Sequence, residues 1–180
     1  MKKRFTIGRL DFNSPVILGL TGLSLILLVL NMATGGFTNR LFAVRFTSWL
    51  DPMMYLRMFT HVLVHADFNH YIGNFLLILV VGPTVEEKYG SRDTAIMFLI
   101  TAFVTGLVNI LFFRGVMLLG ASGLVFMLIL LSSCTNLKQG KIPLTVILVA
   151  VFYLGNEIVN GLFSQDNISQ ISHILGGLCG

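Results

Sequence analysis

The stretch Gly115-Val116-Met117-Leu118-Leu119-Gly120-Ala121-Ser122-Gly123-Leu124-Val125-Phe126 decides how this chain is read. It interrupts an apolar segment, 116–134, with a serine set between small residues. A helix opened by Ser122 and closed near Ser133 has about 12 residues, or about 18 Å at about 1.5 Å per residue. The hydrocarbon core of a bilayer is about 30 Å thick. If the far end of this helix reaches the surface near Lys138, its start lies below the opposite surface. Residues 115–121 must then descend as irregular backbone, which is tolerated only against protein or a water-filled cavity. The sequence therefore predicts a serine at a helix N-terminus, inside the membrane and beside water.

The rest of the chain supports the membrane setting. Of the 180 residues, 55% are hydrophobic and only 11% charged. Soluble domains carry about 25% charged residues. Disordered, collagen-like and disulfide-stapled classes are excluded, because the apolar runs are long and Cys134 and Cys179 form no framework. The predicted spans are 15–32, 71–85, 94–113, 116–134, 142–163 and a short 168–180. The first lacks a clear small-x-small exit and reads as a retained anchor rather than a signal. The fold class is all-α: a six-transmembrane-helix bundle with a short fourth helix starting mid-membrane.

One domain covers 1–180, with 1–14 cytoplasmic and 33–70 a long outer loop. The loop's aromatic content (Phe37, Phe42, Phe46, Trp49, Phe59, Phe68) sets it in the interfacial zone. With the N-terminus inside, Lys2, Lys3, Arg4, Arg9, Lys88, Arg92, Lys138 and Lys141 are inner, against Arg40, Arg45, Arg57 and Arg114 outside. The net charge of +4 is a topology signal with anionic lipid as its partner, and nothing in it reads nucleic acid. Segment 168–180 spans about 20 Å and looks truncated.

The chain has four histidines, His61, His65, His70 and His173. Ionisable groups at membrane depth are functional candidates by default. Gly176 and Gly180 form a small-residue face beside His173, with Gly123 a plausible mate, which brings His173 towards Ser122. His173 can then serve as base to a Ser122 nucleophile. Orphan amides at the helix N-terminus, with His70 and Asn74 one turn apart, can supply oxyanion donors. No carboxylate is placed to orient His173, so the pair is a dyad.

These residues resemble the rhomboid intramembrane serine proteases. The likeness rests on Gly120-Ala121-Ser122-Gly123 and on His173 with glycines at +3 and +7. It rests also on His61-x3-His65-x4-His70-x3-Asn74 and on Val85-Glu86-Glu87-Lys88-Tyr89-Gly90-Ser91, and covers roughly 55–180. It implies Ser122 as nucleophile, His173 as general base, and His70, Asn74 and the Ser122 amide, in the Gly120 loop, as the oxyanion site. It implies structural roles for Arg57, His61, His65, Glu86, Gly123, Gly176 and Gly180, and a single-span membrane helix as substrate. No metal or cofactor is implied, and the setting expected is a prokaryotic inner membrane. The chain departs in having Leu56 before Arg57, and Phe126 where many bacterial members place a tyrosine to stack on the imidazole.

Other readings stay open on the residues alone. A catalytically inactive relative would bind membrane helices without cutting them. A transporter would use the histidines as a relay, and His61, His65 and His70 could be metal ligands with Asp67 as the only nearby carboxylate. Glu157 either snorkels outward or pairs with an arginine such as Arg114.

Overall fold

The computed structural model describes residues 5–7 and 10–134, with the single positions 144, 147, 148 and 151. Helices dominate, in the order α1 (Pro15–Ala33), α2 (Phe37–Phe42), α3 (Pro52–Thr60), α4 (Phe68–Tyr89), α5 (Ser91–Phe112) and α6 (Ser122–Cys134). A short antiparallel ribbon, β1 (Phe5–Ile7) with β2 (Leu10–Phe12), precedes α1 and pairs Phe5 with Phe12. It lies in the stretch read from sequence as a plain cytoplasmic tail, so the described part is not strictly all-α. The expected fifth and sixth spans, 142–163 and 168–180, fall almost wholly outside the described residues.

Three of the helices, α1, α4 and α5, are long and apolar enough to cross a membrane. Their 19, 22 and 22 residues correspond to about 29–33 Å. Their outward faces carry exposed Ile26, Val29, Leu76, Val80, Leu99 and Ile100. So much exposed apolar surface suits lipid rather than water. By contrast α6, with 13 residues, reaches only about 20 Å. Residues Ser122–Ile129 of α6 are all buried, as expected of a helix apolar on every side and packed at the centre of a bundle. It packs against α4 and α5, in a core with Phe75, Ile78, Leu124 and Met127.

The long loop is more ordered than its mixed pattern suggests. Asp51 caps α3 by accepting the Met53 amide at 2.9 Å, with Pro52 at the first helical position. A single 3₁₀ turn, His61–Leu63, follows. Likewise α4 begins at Phe68, three residues before the predicted start, because Asp67 caps it through the His70 amide at 2.9 Å. It continues to Tyr89, so Glu86–Lys88 are helical rather than loop.

Glu86 explains why a carboxylate is buried there. Its Oε1 and Oε2 accept the amides of Val16 and Ile17 at 3.1 and 3.0 Å, capping the start of α1. The anion thereby meets two orphan donors and the positive end of the α1 dipole. One turn earlier, Gly82 permits the approach: a β-carbon there would stand 2.5 Å from Ile17 Cδ1. One residue, Gly90 at φ 89°, joins α4 to α5. Only glycine adopts that conformation cheaply.

Candidate active site

Before α6 the backbone descends from Phe113 to Ala121, and each stage is held by protein. Asn109 Nδ2 donates to the Val116 carbonyl at 3.2 Å. Val44 and Leu118 exchange both backbone hydrogen bonds, at 3.0 and 2.9 Å. The Gly120 amide donates to the His61 carbonyl at 3.0 Å, and the Ala121 amide to His65 Nε2 at 3.3 Å. Irregular backbone buried inside a helical bundle requires this kind of pairing. The chain then enters α6 at Ser122, with the Val125 amide donating to the Ala121 carbonyl. The amides of Ser122, Gly123 and Leu124 are the first-turn donors that no helix can satisfy internally.

Gly120 has φ 112°, a conformation L side chains rarely adopt. A β-carbon there would lie 2.7 Å from His70 Nε2 and 3.8 Å from Asn74 Nδ2. Both α4 side chains are therefore drawn against the turn that delivers Ser122. Asn74 is buried, its Nδ2 also donating to the His70 carbonyl at 3.1 Å. Ser122 is 6% exposed, and Phe126, one turn further along α6, is buried too. So His70, Asn74, Gly120 and Ser122 converge. His173, Gly176, Gly180 and Glu157 lie outside the described residues.

His61 and His65 hold the same turn from behind. His61 meets the Arg57 carbonyl through Nδ1 at 3.3 Å and the Thr105 hydroxyl through Nε2 at 3.2 Å, and that hydroxyl also donates to the Thr101 carbonyl at 2.8 Å. Burial pushes its pKa from 6.5 down to about 4, against hydrogen bonds to the Arg57 and Met58 backbone. His65 is fully buried, edge-on to the His70 and Tyr71 rings at 5.1 and 5.6 Å. Burial and then the His70 ring push it down to about 3, with Asp67 and the Leu63 backbone opposing. Both rings are neutral at ordinary pH.

The metal-ligand reading meets a different geometry. His61 faces Arg57 and Thr105, His65 faces the Ala121 amide, and Asp67 is committed to the α4 cap. Among the described residues no three His, Cys, Asp or Glu side chains gather as a metal site. Arg57 binds the Leu41 carbonyl through Nε at 2.9 Å and lies 3.8 Å from Asp51, tying α3 to α2. Arg114 stacks over Phe46 and Trp49, at 4.6 and 5.7 Å from the ring centroids, so its described partners are aromatic.

Three residues of this framework escaped the sequence reading: Val44, Thr105 and Asn109. For the latter two a signal exists, because Thr101, Thr105 and Asn109 recur every fourth residue in one span. Polar side chains on one face of a membrane helix point into the bundle. Val44 carries no signal, since it acts through its backbone.

Buried polar groups gathered at a mid-bundle serine, within helices sized for a bilayer, define a polytopic membrane protein with a candidate nucleophile. The rhomboid domain profile matches residues 52–180, and the chain belongs to the rhomboid family. It is thus an integral membrane protein of that family. It is similar to the rhomboid protease GluP of Bacillus subtilis (strain 168), 28% identical over 167 residues, which cover 88% of this chain and 32% of that protein. It is also similar to RHOMBOID-like protein 1 of Arabidopsis thaliana, 26% identical over 67% of this chain and 32% of the relative. Rhomboid-related protein 2 of Mus musculus is 28% identical over 69% of this chain and 45% of its own length. The matched region thus spans between about a third and just under half of these relatives.

Proposed function

We propose that the protein is an intramembrane serine endopeptidase, and one observation carries the reading. His70 and Asn74 close on the Gly120 turn immediately before Ser122, at the start of a buried helix too short to span. A serine in a membrane helix with a merely structural role needs no such assembly. The name of the Bacillus relative, a rhomboid protease, supports the same reading.

In this mechanism His173 takes the Ser122 hydroxyl proton as Oγ attacks the scissile carbonyl. The tetrahedral oxyanion is met by the Ser122 amide and by His70 and Asn74, with Gly120 keeping the turn open for them. Collapse expels the amine, which receives the proton from His173 and leaves an acyl-enzyme. Water then attacks that ester with His173 again as base. The substrate is a single-span membrane helix, which must unwind locally because an intact helix keeps its carbonyls bonded. The full architecture is a six-helix bundle with Phe126 against the His173 imidazole and Gly123 against Gly176 and Gly180. The N-terminus is cytoplasmic, in a prokaryotic inner membrane.

The test is labelling of the solubilised protein by a serine-directed fluorophosphonate, alongside cleavage of a panel of single-span substrates. Wild type should label and cut, and both Ser122→Ala and His173→Ala should do neither. A folded wild-type sample that neither labels nor cuts would leave a helix-binding relative without catalysis.

A further inference from the structure

The His65 loop is reached from α1 by a chain of side-chain hydrogen bonds that the proposed mechanism does not use. Gly36, at φ 91°, precedes α2 and has no side chain to cap it. Asn31, in the last turn of α1, does this from outside: its Oδ1 accepts the Asn39 amide at 3.0 Å and the Thr38 hydroxyl at 3.1 Å. The Thr38 hydroxyl also contacts the Leu27 carbonyl at 3.0 Å. Asn31 and Thr38 are buried, so these bonds are shielded from competing water. They fix the orientation of α2, and with it the half-buried Asn39.

Asn39 uses that orientation to bridge 26 residues of chain. Its Nδ2 donates to the His65 carbonyl at 3.0 Å, while its own Oδ1 has no partner among the described residues. The contact is therefore one-directional, with the amide serving as a donor aimed at one backbone oxygen. The ring of the same His65 accepts the Ala121 amide, one residue before Ser122. A continuous path runs from Asn31 through Asn39 and His65 to the backbone that sets Ser122.

We propose that Asn39 is a positioning residue for the Ser122 centre, acting through the His65 carbonyl to hold the imidazole against the Ala121 amide. The inference rests on Ser122 being the nucleophile. Loss of the donor leaves the His65 carbonyl unpaired and frees the loop to rotate, which displaces the first turn of α6. Displacements of about 1 Å at a reacting centre cost up to about a hundredfold in rate.

The experiment uses the full chain in phosphatidylethanolamine–phosphatidylglycerol vesicles with a single-span substrate. Fluorophosphonate labelling rates serve variants too slow for turnover. Asn39→Ala should lower kcat by about tenfold to a hundredfold and leave KM within about twofold, because substrate binding is untouched. In a His65→Ala background the same change should cost nothing further, since its route to Ser122 is gone. Asn39→Asp, equal in shape but unable to donate, should behave as Asn39→Ala does and decides the matter if the alanine variant does not fold. A wild-type kcat in both Asn39 variants overturns the proposal, as does a full additional loss on top of His65→Ala. If Ser122→Ala still cleaves, the nucleophile assignment falls and this inference with it. If Ser122→Ala is inactive while Asn39 variants are normal, only this inference falls.

Discussion

The imidazole of His70 stands over the α-carbon of Gly120, so close that a β-carbon there would sit 2.7 Å from Nε2 and 2.8 Å from Cε1. Two demands meet at that glycine, the φ of 112° and the bare surface facing the ring. Gly120→Ala should therefore fail on both counts. Backbone strain of this kind costs about 1–3 kcal/mol, and the ring must also move. Cleavage by Gly120→Ala should fall well below that of Gly115→Ala, whose added β-carbon meets open space. Equal activity in the two variants would dissociate the His70–Gly120 contact from function.

Asn74 is buried beside the Gly120 turn, with its amide nitrogen donating to the His70 carbonyl. If it meets the oxyanion, Asn74→Ala should raise the barrier by about 2–4 kcal/mol, the range for a primary oxyanion donor. The loss should appear in kcat, with the fold retained by circular dichroism. A wild-type rate would remove Asn74 from the site.

Glu86 should be a stability residue with no direct part in chemistry, since it lies at the opposite end of α4 from His70. Glu86→Ala orphans the amides of Val16 and Ile17, each worth about 1–3 kcal/mol when buried and unpaired. Glu86→Gln keeps one acceptor and should lose less. Thermal unfolding in detergent should rank wild type above Glu86→Gln above Glu86→Ala, and any other order would contradict the capping role.

Acid should weaken the fold through the histidines. His61 and His65 titrate at about 4 and about 3 when folded, against 6.5 when exposed. The unfolded chain therefore binds more protons as pH falls below about 6.5, and stability declines by about 1.4 kcal/mol per unit for each ring. Above about pH 7 both are neutral in either state, and this contribution is flat. Unfolding midpoints measured from pH 8 to pH 4.5 should show that bend, and His61→Asn should make the decline shallower. A midpoint constant across this range would contradict the neutral, buried assignment.

The start of a short helix at Ser122 was legible because flanking glycines mark the break in an apolar run, and its 13 residues are too few to cross a bilayer. The pairing of His70 and Asn74 was legible because positions four apart share a helix face. What escaped depends on partners distant in sequence. Asn31 caps α2 across an intervening turn, and nothing in the local pattern around Gly36 announces it. Glu86 carried a structural role only through the resemblance, because the amides that justify burying it belong to residues 16 and 17. Helix α3 lay unmarked inside the 33–70 loop, and its Asp51 cap became meaningful only once Pro52 was seen to begin a helix.

The one-residue connection at Gly90 has a mechanical meaning. With a single glycine between them, α4 and α5 form a pair of levers joined at the end remote from Ser122. Each arm is about 33 Å long, so a change of about 10° at the joint swings the far tips apart by about 6 Å. The angle held at this one residue therefore sets the spacing of the two helix ends that flank Ser122.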